Sequence, residues 1–129
     1  MEAFDSDVLI YAAKQDPRGD SVARLLAQEE SFATSMGSVV LIPELLSLPI
    51  RQQRDEERRV LQHLLTRIDL KPVDHETADL AAELGAKYAL RAADSIHLAT
   101  AVIWGADRFH TNNRKDFGQP IDEIEIVFP

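Results

Sequence analysis

Short strand signals alternate with helical runs along almost the whole chain, and that alternation limits the available folds more than any other feature. A strand is expected over residues 2–5. Ser6 and Asp7 follow as caps for a short helix over 8–14, although Val8-Leu9-Ile10-Tyr11 alone also suits a strand. Asp16-Pro17-Arg18-Gly19-Asp20 reads as a turn, and Asp20 or Ser21 caps a helix to about Glu30. Residues 31–35 read as a strand. Proline is tolerated in the first turn of a helix, so Pro43 places a helix start near Ile42, and Pro49 obscures where that helix ends. A long helix over 55–67 carries Val60, Leu61, Leu64, Leu65 and Ile68 on one side. A strand over 69–73 leads to Asp74, the cap of a helix over 76–88. A helix over 91–105, a strand over 108–111 and a last strand over 124–128 complete the series. This pattern predicts an α/β fold, a three-layer α/β/α domain with a mainly parallel central sheet.

The length suits one domain over residues 1–129, with enough chain for a continuous core. The absence of cysteine removes disulfides and thiolate metal sites. The apolar run 8–13 is too short for a signal peptide or a membrane span, so the expected compartment is the cytoplasm and no membrane partner is expected. A net charge of −8 opposes nucleic acid as a default partner, because phosphate neutralisation drives much of that affinity. The stretch 51–67 runs against this balance with five arginines and three acids. A solvated helix face with pairs one turn apart explains it most simply.

In a parallel sheet, ligands bind beyond the carboxyl ends of the strands, where helix starts face the same crevice. Asp5 ends the first strand signal, Glu44 lies in the turn after the second, Asp94 in the first turn of the 91–105 helix, and Asp116 in the loop after Thr111. Each alone has a plainer explanation as a cap, a dipole partner or a turn residue. Gathered at one edge, they would repel: two unit charges about 4 Å apart cost roughly 4 kcal/mol at an effective dielectric of about 20. A hard divalent cation removes that problem, and an oxygen-only donor set favours Mg²⁺ or Mn²⁺ over Zn²⁺. Asp7 competes for any role given to Asp5. His97, one turn after Asp94, is placed to hydrogen-bond it, although a structural histidine is the simpler reading.

Four segments resemble the PIN-domain nucleases, in particular the VapC-like ribonuclease toxins of type II toxin–antitoxin pairs. They are Asp5-Ser6-Asp7-Val8-Leu9-Ile10-Tyr11, Pro43-Glu44-Leu45-Leu46, the run from Asp94-Ser95-Ile96-His97 to Ala101, and the run from Thr111-Asn112-Asn113 to Asp116-Phe117. The order is that of the family, and the segments cover nearly the whole chain. The resemblance implies an endoribonuclease dependent on Mg²⁺ or Mn²⁺, with Asp5, Glu44, Asp94 and Asp116 as catalytic metal ligands. It makes Thr111, Asn112 and Asn113 donors that orient those acids. Substrate RNA is expected along Arg51 and Arg54 and at Arg114 and Lys115. The expected partners are a cognate antitoxin and a second copy of the chain in a homodimer. Two residues depart from the family pattern: Asp7, where an amide or small polar residue is commoner, and Asn113, where many members carry an acid. A scaffold that binds RNA or protein without cleaving is therefore the alternative function. A phosphorylatable receiver domain fits poorly, since the middle of the chain is helical where a phosphoacceptor aspartate would have to end a strand.

Overall fold

The computed structural model describes all 129 residues. Five strands form one sheet in the order β3-β2-β1-β4-β5, and every neighbouring pair is parallel. They are β1 (Glu2–Phe4), β2 (Ser35–Ser38), β3 (Asp69–Lys71), β4 (Arg108–His110) and β5 (Glu125–Val127). The helices are α1 (Ser6–Ala13), α2 (Asp20–Leu26), α3 (Ser31–Thr34), α4 (Leu41–Arg51), α5 (Asp55–Thr66), α6 (His75–Tyr88), α7 (Ala92–Ile103) and α8 (Arg114–Phe117), with a 3₁₀ turn over Pro17–Gly19.

Successive strand residues point to opposite faces, so Ala3 and Phe4 enter different cores. Phe4 joins Val8, Leu9, Val22, Leu41, Leu61 and Leu65 under α1, α2, α4 and α5. Ala3 and Phe109 join Leu84, Leu98, Ala99 and Phe117 under α6, α7 and α8. The three layers expected from the alternation are thus present, and the sheet is parallel throughout.

Several local expectations change. Asp5, not Ser6 or Asp7, caps α1, its carboxylate accepting from Ser6 N at 2.7 Å. The α2 helix stops at Leu26, four residues short of the expected end, where Arg67 Nε donates to Leu26 O at 3.0 Å and its Nη2 to Gln28 O. Residues 31–34 form a helical turn, and the strand begins only at Ser35. Ser31 Oγ donates to Arg67 O at 2.7 Å, so the same distant arginine anchors both features. Pro49 stays within α4, which continues to Arg51. Asp74 caps α6 as expected, accepting from Thr77 N at 2.9 Å. No helix is long and apolar enough to cross a membrane.

Candidate active site at the carboxyl edge of the sheet

The chain builds outward from β1 to β3 and then returns to lay β4 on the other side of β1. The switch point between β1 and β4 is where a parallel sheet opens a crevice. Here β1 hands Asp5 to the edge and β4 hands over Thr111, and the two strands are stitched at their ends by Asp5 N donating to His110 O at 2.9 Å. A cleft of about 450 Å³ opens at this edge, with five carboxylates (Asp5, Asp7, Glu44, Asp94, Asp116) and two bases (Arg91, Lys115) in its lining.

The four acids named from the sequence therefore face one cleft, although they arrive from both helical layers. Asp5 caps α1, and Glu44, Asp94 and Asp116 lie in the first turns of α4, α7 and α8. The positive end of a helix dipole offsets part of the charge gathered there, most effectively for the longer helices. The offset is incomplete. Asp94 is pushed up to about 6, first by burial and then by the charges of Asp5 and Asp116, with the nearby His97 acting in the opposite direction. Asp7 is also pushed up to about 6, again by burial first and Asp5 second, against the lowering effect of the Asn112 backbone N–H. One of its oxygens, Oδ1, is buried without a hydrogen-bond partner.

Neutral donors hold the acids in place. Thr111 is fully buried, and its Oγ1 donates to Asp5 Oδ2 at 2.9 Å while accepting from Asn113 N at 3.1 Å. Asn113 Oδ1 accepts from Asp116 N at 3.2 Å, and its Nδ2 donates to Asp116 Oδ2 at 2.9 Å and, more weakly, to Asp94 Oδ2 at 3.5 Å. The residue that departs from the family pattern thus bridges two of the acids with its amide. Asn112 is placed differently from the expectation: its N–H donates to Asp7 Oδ2 at 3.0 Å and its Nδ2 to Arg18 O at 3.4 Å, so it serves Asp7 and the 3₁₀ turn. His97 also departs from its reading. Its Nε2 meets Glu44 Oε1, not Asp94.

The basic residues divide. Lys115 lines the cleft, whereas Arg51, Arg54 and Arg114 do not. Arg54 pairs with Glu57 at 3.4 Å, Arg114 stacks 4.5 Å over the Phe128 ring, and Arg51 is exposed in the last turn of α4. Arg91, at the N-cap position of α7, lines the cleft and was missed from the sequence. Its place immediately before the Asp94 helix was the available signal, but a single arginine before a helix carries no motif.

As the side chains are oriented, no three acidic or histidine groups stand close enough to share one ion. The donor chemistry nevertheless suits a hard cation: the groups facing the cleft are carboxylates, and two of them are driven toward protonation by burial and like charge.

The sequence pattern described as the PIN domain matches residues 3–119. Ribonuclease VapC46 of Mycobacterium tuberculosis is 33% identical to this chain over 104 residues, 81% of this chain and 76% of that protein. The fold is similar to a chain of a toxin–antitoxin complex from Klebsiella pneumoniae, with a TM-score of 0.75 and 22% identity over 98% of this chain and 100% of that one. It is also similar to a chain of the DNA-bound VapBC from Salmonella typhimurium, with a TM-score of 0.77 and 17% identity over 98% of this chain and 96% of that one. The domain match spans most of the chain and the ribonuclease relative is well above chance likeness, so this chain belongs to the PIN domain family.

Proposed function

We propose that this protein is a divalent-metal-dependent endoribonuclease and the toxin of a toxin–antitoxin pair. The observation that carries the proposal is the meeting of Asp5, Glu44, Asp94 and Asp116, acids from four separate segments, in one cleft at the switch point of the sheet. Likeness to a named ribonuclease and to chains of toxin–antitoxin complexes supports the same reading.

Asp5, Glu44, Asp94 and Asp116 would hold Mg²⁺ or Mn²⁺. Such an ion, when bound, supplies positive charge to the scissile phosphate and lowers the pKa of a water nucleophile. Thr111 and Asn113 keep Asp5 and Asp116 turned toward the cleft. Glu44 Oε1 is taken by His97, which leaves Oε2 to face the ion and to orient its water by a hydrogen bond. Arg91 and Lys115 bind phosphates flanking the scissile one, and the more distant Arg51, Arg54 and Arg114 contribute only as general charge. The antitoxin would place a cationic segment in the acidic cleft, because a guanidinium forks onto carboxylates in place of the ion. A homodimer and a cytoplasmic location belong to the same proposal.

Incubation with structured RNAs in EDTA, Mg²⁺ and Mn²⁺, beside Asp5→Asn and Asp94→Asn, tests it. Metal-dependent cleavage lost in both variants is the expected outcome. Cleavage that persists in EDTA would remove the metal mechanism. The Asn113 amide, lying where an acid would add a ligand, favours the second reading of a binding scaffold. Tight RNA binding with no cleavage in any metal would select it.

A further inference from the structure

The acids of the cleft are not held alike. Asp5 is fixed by Ser6 N and Thr111, and Asp116 by Asn113, all groups on neighbouring residues or the adjoining strand end. Glu44 has the longest side chain of the four and is carried by α4, in the layer that holds Phe4 and Val8. Its hydrogen bond comes from His97 on α7, in the opposite layer and 53 residues away.

The burial of the pair is lopsided. The His97 side chain is 1% exposed and that of Glu44 is 29% exposed. His97 lies in the buried stretch of α7 from His97 to Ala101, and its Nδ1 is buried with no partner. A buried polar atom left unpaired calls for an explanation, since a hydrocarbon of similar size would fill the space without stranding a nitrogen. Facing a carboxylate oxygen, Nε2 is the donor. The ring is locked by packing and therefore presents its N–H to Glu44 from a fixed point.

We propose that His97 is a positioning residue, whose Nε2–H reaches over the edge of the sheet to hold Glu44 in the orientation that a bound cation requires. The inference rests on the metal site proposed above. Without that bond, the three side-chain torsions of Glu44 are free to carry the carboxylate into solvent. The imidazole thereby ties α4 to α7 at the one place where both layers contribute acids to the cleft.

Calorimetric titration with Mn²⁺ in the absence of RNA tests this, on the parent chain, His97→Gln, His97→Asn, Glu44→Ala and the Glu44→Ala/His97→Asn pair, with thermal midpoints for each. Glutamine sets its amide nitrogen near the Nε2 position, and its affinity is expected within about 3-fold of the parent. Asparagine carries the same amide but stops short, and a loss of about 10-fold is expected, in the range for partners of metal ligands. In the Glu44→Ala background the asparagine variant should lower the remaining affinity no further, because His97 acts through Glu44. Equal binding by parent, Gln and Asn variants overturns the positioning role and leaves the metal site standing. A Gln variant as weak as the Asn variant, or an Asn effect that persists without Glu44, overturns it too. A parent chain that binds no Mn²⁺ overturns the metal site and this inference together.

Discussion

Thr111 stands out among the single residues because one buried hydroxyl serves two segments of the cleft, donating to Asp5 and accepting from the Asn113 backbone. Thr111→Val keeps the shape and strands both partners, which costs about 1–3 kcal/mol per unmade buried bond. A lower urea midpoint together with weaker Mn²⁺ binding is expected, whereas Thr111→Ser should stay near the parent. An unchanged midpoint in the valine variant would show that neither bond contributes. Asp7 carries the opposite sign. Its carboxyl is raised from 3.8 to about 6 in the folded chain, so the folded state holds the extra proton between those values. Its stabilising contribution is complete below about pH 4 and is lost as pH rises through about 6. In EDTA, Asp7→Asn should therefore be the more stable chain at pH 7.5, by about 1–2 kcal/mol after allowance for solvent screening, with the gap closing toward pH 4. Urea midpoints across that range decide it, and a gap that is the same at both ends would exclude titration of Asp7 as the cause.

Among the elements, the 3₁₀ turn at Pro17–Gly19 presses directly on α1. A Cβ at Gly19 would lie 2.2 Å from Ala12 N and 2.4 Å from the Tyr11 carbonyl carbon. Both obstacles are backbone, so Gly19→Ala has to move the turn or the helix. A loss of at least about 1–3 kcal/mol, the usual range for overpacking, should appear as a lower urea midpoint. Full parental stability in that variant would mean the turn is loosely seated. The long elements were legible in the sequence because their signals are local: Asp74 caps α6, and the apolar spacing of α5 and α7 repeats over three turns. Residues 31–38 were not. Ser31 bonds to Arg67 and turns the chain into a helical twist, which pushes the strand to Ser35-Met36-Gly37-Ser38. Apart from Met36 that run is small, with two serines and a glycine, yet it is buried between β1 and β3. Gly37 suits the place because a Cβ there would come within 2.6 Å of Leu41 Cδ1. The α8 turn is four residues long and is defined by a cap and not by periodicity.

On the scale of the whole molecule, a charge of −8 surrounds a cleft with only two bases in its lining. Each phosphate neutralised on a single strand contributes about −0.7 to the slope of log affinity against log salt, so Arg91 and Lys115 together predict a slope of about −1.4. Fluorescence anisotropy of a labelled RNA on Asp94→Asn, which is expected to bind without cutting, measures it. Arg91→Ala and Lys115→Ala should each make the slope shallower by about 0.7. A slope nearer −4 would move the RNA path onto the arginines of α4 and α5. What the sequence by itself determined was the donor chemistry and its order: carboxylate oxygens without thiols, four acids at a strand end, a turn, a helix start and a loop, and the strand–helix alternation that brings them to one edge. These are properties of short windows and of parallel connection, and they survive without knowledge of distant contacts. Only the tertiary structure decided that Asp7 is half-buried beside Asp5, that Arg91 faces the cleft, that Asn113 bridges Asp94 and Asp116, and that His97 holds Glu44 and not Asp94. The physical reason is that these pairings depend on how the two helical layers seat on the sheet, and His97 and Glu44 come from opposite layers that no local pattern relates.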